Sequence, residues 1–83
     1  MRHFEPFPLG YVQIDWKRVG ELVKIAREEN HFSLRGFADF TGISFATLSR
    51  CERGAAVDPD QFFTLLQVIG KPFDIPEEII KPA

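Results

Sequence analysis

The 83-residue sequence predicts an all-α domain of four to five short helices, preceded by an extended N-terminal arm. Three observations predict it. Apolar side chains recur three and four positions apart in four separate stretches, each stretch opens on a helix-capping residue, and each closes on glycine or asparagine.

Residues 1–14 form the arm. Pro6, Pro8 and Gly10 oppose a helix, while Phe4, Phe7, Leu9, Tyr11, Val12 and Ile14 make the segment too apolar to be left in water. Residues 11–14 are expected to form a short strand, and the arm to pack on its own domain or on a second copy. Residues 15–83 form the domain. Asp15 caps a first helix over about 16–29, whose stripe is Trp16, Val19, Leu22, Val23 and Ala26, and Asn30 with His31 ends it. A second helix is expected over 34–41, a third over 45–53 and a fourth over 59–69. Asp58-Pro59-Asp60 marks the last start with a cap, a tolerated proline and an acid at the positive end of the helix dipole. Phe62, Phe63, Leu65, Leu66 and Ile69 are its expected buried face, and Gly70 with Pro72 stops it. A final turn is expected over 76–81, with Ile79 and Ile80 closing over the core.

The densest information lies in residues 33–54, SLRGFADFTGISFATLSRCERG. Ser33 caps a helix with Leu34, Phe37, Ala38 and Thr41 on one face. Gly42 supplies the positive-φ residue that stops it. Ser44 caps the next helix at once, with Leu48 and Cys51 inward, Gly54 as its stop, and Phe45, Ala46, Thr47, Ser49, Arg50 and Arg53 outward. Two short helices joined by one tight turn are the outline of a helix-turn-helix.

Composition removes other classes. A single cysteine makes no internal disulfide, and two histidines offer no metal-ligand spacing. Cys51 is expected in the core, and no cofactor or metal is implied. No apolar run approaches the ~20 residues that span a bilayer, so no membrane is expected and the location is expected to be cytoplasmic. The chain lacks a nucleophile with its base, a glycine-rich phosphate loop after a strand, and paired carboxylates in an apolar cleft, so it is not read as an enzyme. The net charge of −2 gives little general attraction to polyanions. Its distribution is uneven: residues 58–83 hold five acids against two bases, whereas residues 31–57 hold three bases against two acids. A face built on the central segment, helped by Lys17 and Arg18, is then locally positive.

In Ala38, Gly42, Ile43-Ser44, Thr47-Leu48-Ser49-Arg50 and Glu52-Arg53-Gly54, the chain resembles the phage-repressor-like (Cro/repressor, xenobiotic-response-element type) helix-turn-helix family. The likeness spans about 55 residues, 15–70. It implies a compact lambda-repressor-like DNA-binding domain and an ion pair between Arg27 and Glu52. It also implies a recognition helix, 45–53, in the major groove of double-stranded DNA. On that map Phe45, Ala46 and Arg50 reach base edges, Arg50 by forking onto guanine. Ser33, Leu34, Ser44, Thr47 and Arg53 reach phosphates. The chain departs from the pattern where Leu34, Phe45 and Ala46 replace polar residues, and where Ala55 and Ala56 replace basic ones.

The function expected is a sequence-specific transcriptional regulator, a repressor-like homodimer on a palindromic operator. The alternative is an antitoxin-like or anti-regulator module of the same fold that binds a protein partner through Phe40 or Phe45. Salt separates the two, since phosphate contacts weaken steeply as it rises.

Overall fold

The computed structural model describes residues 12–70 and 76–82. The arm up to Tyr11, the expected stop at Pro72, and the tail residues Phe73 and Ile75 lie outside the described residues.

The described chain is a short strand β1 (Val12–Ile14) and four α-helices, α1 (Trp16–Glu29), α2 (Leu34–Thr41), α3 (Phe45–Glu52) and α4 (Pro59–Ile69). A single 3-10 turn (Glu77–Ile79) and a second strand β2 (Ile80–Pro82) follow. Each α-helix begins where its cap dictates. Asp15 Oδ1 accepts the N–H of Arg18 at 3.1 Å, Ser33 Oγ that of Gly36 at 2.9 Å, and Ser44 Oγ that of Thr47 at 3.2 Å. Asp58 forms a full capping box with Gln61: the Gln61 N–H donates to Asp58 Oδ1, and the Asp58 N–H donates to Gln61 Oε1. The third helix ends one residue short of the expected boundary, with Arg53 as its C-cap.

Two expectations are corrected. The final turn expected over 76–81 is shorter: a single 3-10 turn, Glu77–Ile79, gives way to strand at Ile80, which is 44% exposed and does not close over the core. Lys81 precedes Pro82, which drives it out of the α region, and the β-branched Ile79 and Ile80 favour extended backbone. The chain therefore makes one tight turn and then pairs β2 antiparallel with β1, Ile14 opposite Ile80 and Gln13 opposite Lys81. For residues 12–14 the observed pairing is with β2 of the same chain. Phe63, expected in the core, is 56% exposed. The buried stripe of α4 runs through Phe62, Leu65, Leu66 and Ile69, and the residue beside Phe62 is rotated ~100° away from it.

The core is Val19, Val23, Phe37, Ile43, Leu48, Cys51, Leu65, Leu66 and Ile79. Trp16 packs edge-on against Phe62 at 5.3 Å between ring centroids. α1 is the central column, packing against α3, α4 and the 3-10 turn, while α2 packs against α3. The approach of α1 to α3 is very close at Gly20. A Cβ built there would lie 2.2 Å from the backbone oxygen of Cys51.

Burial, and secondarily the charge of Glu52, pushes the Cys51 thiol up from 9.0 to about 11. The folded state thus holds the proton more tightly than the unfolded chain. Its contribution to stability is complete below about pH 9 and is lost as pH rises through about 11. In Cys51→Ala this alkaline component of the stability profile is expected to vanish. Native protein at pH 8 is expected to resist thiol reagents until urea unfolds it.

His31 follows α1 with φ 62°, a left-handed conformation that a residue with a Cβ adopts at a cost of about 1–2 kcal/mol. Its N–H donates to the Glu28 carbonyl at 3.0 Å, which holds the turn in place. His31→Gly is expected to raise stability by about 0.5–1 kcal/mol, the relieved strain less the added chain entropy of glycine. A urea midpoint that falls in this variant would contradict the assignment of strain.

Candidate nucleic-acid interface

Between α2 and α3 the chain turns in three residues. Gly42 takes φ 79°, and its N–H donates to the Ala38 carbonyl at 2.9 Å. Thr41 fastens the same turn. Its Oγ1 donates to the Phe37 carbonyl at 2.9 Å and accepts the N–H of Ile43 at 3.2 Å. Ile43 is buried, so the turn is anchored by an apolar plug on one side and by a hydroxyl on the other. The sequence reading placed Thr41 on the apolar face and missed this bond; a hydroxyl four residues after a helical carbonyl is the signal for it.

α3 is thereby held with one side in the core and one in solvent. Leu48 and Cys51 are fully buried, whereas Phe45, Ala46, Arg50 and Arg53 are exposed and Thr47 and Ser49 are half-buried. Ser44 Oγ, besides capping α3, donates to Thr47 Oγ1 at 2.9 Å. That bond leaves the Thr47 hydroxyl proton to be donated outward. Ser33 is exposed at the start of α2. Leu34 packs half-buried against the core, so its side chain is turned from solvent and its backbone N–H, at the first position of α2, is what it can offer an anion.

Behind α3 stands the link to α1. Arg27 Nε donates to Glu52 Oε2 at 2.7 Å and Nη2 to Oε1 at 3.1 Å, a bidentate pair. Its Nη1 donates to the Phe32 carbonyl at 2.8 Å. The side chains are only 12% and 8% exposed. Hydrogen bonding to Glu52 raises the Arg27 pKa from its ordinary value against the opposing effect of desolvation. One guanidinium thus fixes the end of α1, the entry to α2 and the last turn of α3.

Other charges are disposed differently from the sequence expectation. Arg18, expected to add positive charge to the face, is engaged by acids: Nε donates to Glu78 Oε1 at 2.9 Å and Nη1 to Glu21 Oε1 at 2.9 Å. Its charge is locally neutralised. Lys17, by contrast, is exposed, and its Cα lies 3.6 Å from where a Cβ on Gly54 would be. It sits beside the C-terminal end of α3.

The exposed aromatic residues of α2 and α3 differ in their contacts. Phe40 is 67% exposed and stacks on Phe32 at 5.0 Å, which in turn leans on buried Phe37 at 5.5 Å. Phe45 is 41% exposed, and the guanidinium of Arg35 lies over its ring, Cζ 4.8 Å from the centroid. The contact joins two helices across the turn and carries no local sequence signal. An open cleft of about 400 Å³ lies beside it, lined in part by Ala38, Asp39, Gly42 and Ser44. Among the described residues no cluster of histidine, cysteine and acidic side chains could hold a metal. No helix of the described chain is long and apolar enough to cross a membrane.

The family model for the helix-turn-helix matches residues 23–75, more than half of the chain. The match takes in the last two turns of α1 and all of α2, α3 and α4. No curated protein and no solved structure matches the chain.

Proposed function

Because the chain belongs to the Cro/C1-type helix-turn-helix family, we propose that it is a sequence-specific DNA-binding transcriptional regulator, with α3 as the helix that enters the major groove. The observation that carries this reading is the division of α3. A helix of eight residues buries Leu48 and Cys51 and leaves Phe45, Ala46, Arg50 and Arg53 to solvent, so its outer side is free for a ligand. Docked by its N-terminal half, such a helix brings Phe45, Ala46 and Arg50 to base edges. Arg50 forks onto guanine O6 and N7, and Ala46 touches a thymine methyl. Ser33, the backbone N–H of Leu34, Ser44, Thr47 and Arg53 take phosphates, where helix N-termini favour anions.

One such domain covers about 600–1,000 Å², too little for high specificity, and two copies on a palindrome double it. The protein therefore acts as a homodimer, repressing by occupying its operator in the cytoplasm. No catalytic step belongs to this reading.

The test is selection of bound duplexes from a random pool at low salt. An enriched palindrome is expected, with half-sites about one helical turn apart. Arg50→Ala should lose roughly 5- to 150-fold in preference for one guanine, and salt should weaken binding steeply. A pool that stays unenriched at low salt, or a variant that selects the same site as wild type, would remove Arg50 from this role.

A further inference from the structure

We propose that Arg35, carried by α2, is a second base-reading residue, held by the Phe45 ring so that it recognises a 5′-TG step. The inference rests on the DNA-binding reading above and deepens it.

Arg35 had an ordinary partner available. Asp39 lies four residues on along the same helix, the spacing at which opposite charges meet, and lines the same cleft. Yet the ion pairs among the described residues are those of Arg18 and Arg27. Arg35 instead places its guanidinium over Phe45, 4.8 Å from the ring centroid, within the range of cation–π attraction.

That choice has a geometric result. In the proposed pose the guanidinium lies flat on the ring, which keeps all five N–H donors in its own plane, pointing away from the ring. Among the described residues no protein acceptor takes any of them; the side-chain hydrogen bonds of α2 and its cap are those of Ser33 and Thr41. The ring also removes freedom from a long side chain. Less entropy is then lost when the fork meets a ligand.

Phe45 is the first residue of α3, the end of the helix that major-groove docking brings to base edges. A planar fork delivered there matches guanine O6 and N7. In that pose one face of the guanidinium rests on Phe45 and the other is presented to the DNA. Successive bases of one strand are separated by about 3.4 Å, a stacking distance, so the base 5′ to that guanine lies against the open face. A thymine presents its methyl group in the major groove, and that group fills the space with apolar contact. The sandwich of ring, guanidinium and methyl selects 5′-TG over steps whose 5′ base has no methyl.

The experiment runs the same random-duplex selection with the full chain and three variants, Arg35→Ala, Arg35→Lys and Phe45→Ala. Both side chains are exposed, and a thermal melt matching wild type establishes that each variant is folded. Wild type is expected to enrich a half-site containing TG beside the guanine lost in Arg50→Ala. Arg35→Ala should lose preference for the TG guanine by roughly 5- to 150-fold while keeping the rest of the site. Arg35→Lys should not restore it, because an ammonium is a point charge without a fork. Phe45→Ala should weaken the same guanine preference. A duplex with deoxyuridine in place of the TG thymine, lacking the methyl, should bind wild type less tightly and Arg35→Ala no differently.

If Arg35→Ala enriches an unchanged site with uniformly weaker binding and a salt slope smaller by about one, Arg35 is a phosphate contact and the inference falls alone. It also falls alone if Arg35→Ala selects as wild type does. A wild-type protein that enriches no duplex defeats the DNA-binding reading, and this inference with it.

Discussion

Gly20→Ala is expected to destabilise the protein by about 3 kcal/mol or more, read as a fall in the urea midpoint followed by circular dichroism. From helix propensity alone the sign would be the opposite, since alanine inside a helix is favoured over glycine by about 1 kcal/mol. Geometry overrides propensity here. The added Cβ would sit 2.2 Å from the Cys51 oxygen and 3.2 Å from both the Cys51 and Glu52 carbonyl carbons. These are backbone atoms of α3, so no side chain can swing aside. α1 and α3 must separate, and the packing of Val19 and Val23 on this side of the core loosens with them. A domain of this size has total stability of about 4–12 kcal/mol, so much of it is at stake. Gly36→Ala is the matched control. Its Cβ meets Ser33 Oγ at 3.1 Å and the Phe32 ring edge at 3.7 Å, side-chain rather than backbone atoms, so its effect should be far smaller than that of Gly20→Ala. If Gly20→Ala raised the midpoint as an ordinary helix substitution does, the close approach of the two helices would be disproved.

Arg27→Ala comes second, with an expected loss of about 3–5 kcal/mol. The charge pair is not worth that much by itself. The loss arises because Glu52, 8% exposed, keeps its carboxylate but loses both hydrogen bonds, and because the Phe32 carbonyl loses its donor. Arg27→Lys should recover only part, since one ammonium cannot serve two carboxylate oxygens and a carbonyl in a fixed plane. Arg27→Met combined with Glu52→Gln should be less destabilised than the sum of the two single changes, because no unpaired charge remains. Urea midpoints for the four proteins of this cycle measure the coupling. A value near zero, or an unchanged midpoint in Arg27→Ala, would reduce the pair to two independently solvated groups.

What was legible in the sequence was largely local. Asp15, Ser33, Ser44 and Asp58 each cap a helix because a short polar side chain reaches a backbone N–H three residues on whatever the rest of the chain does. Gly42 closes α2 for an equally local reason, and His31 takes the left-handed conformation at the end of α1. The illegible features depend on what lies opposite. Nothing in the string reveals that Gly20 meets the Cys51 carbonyl, since an isolated glycine in an amphipathic stretch is compatible with either face. Phe63 looked internal because its neighbours are apolar, and only the direction of the α4 stripe puts it outside. Ile80 pairs with a strand that lies at the other end of the sequence. The candidate site divides in the same way. The outward residues of α3 follow from the spacing of Leu48 and Cys51, whereas the Arg35–Phe45 stack crosses between helices.

The strand pair has a kinetic consequence. Ile14 meets Ile80 only after nearly the whole intervening chain has been confined, and closing a long loop costs entropy before its few contacts repay it. The caps and the α2–α3 turn need no such wait. Folding is therefore expected to proceed from the helical centre outward, with the two strands pairing last. Local opening is expected to start at the same strands, read as faster amide hydrogen exchange there than in the buried turns of α1 and α3.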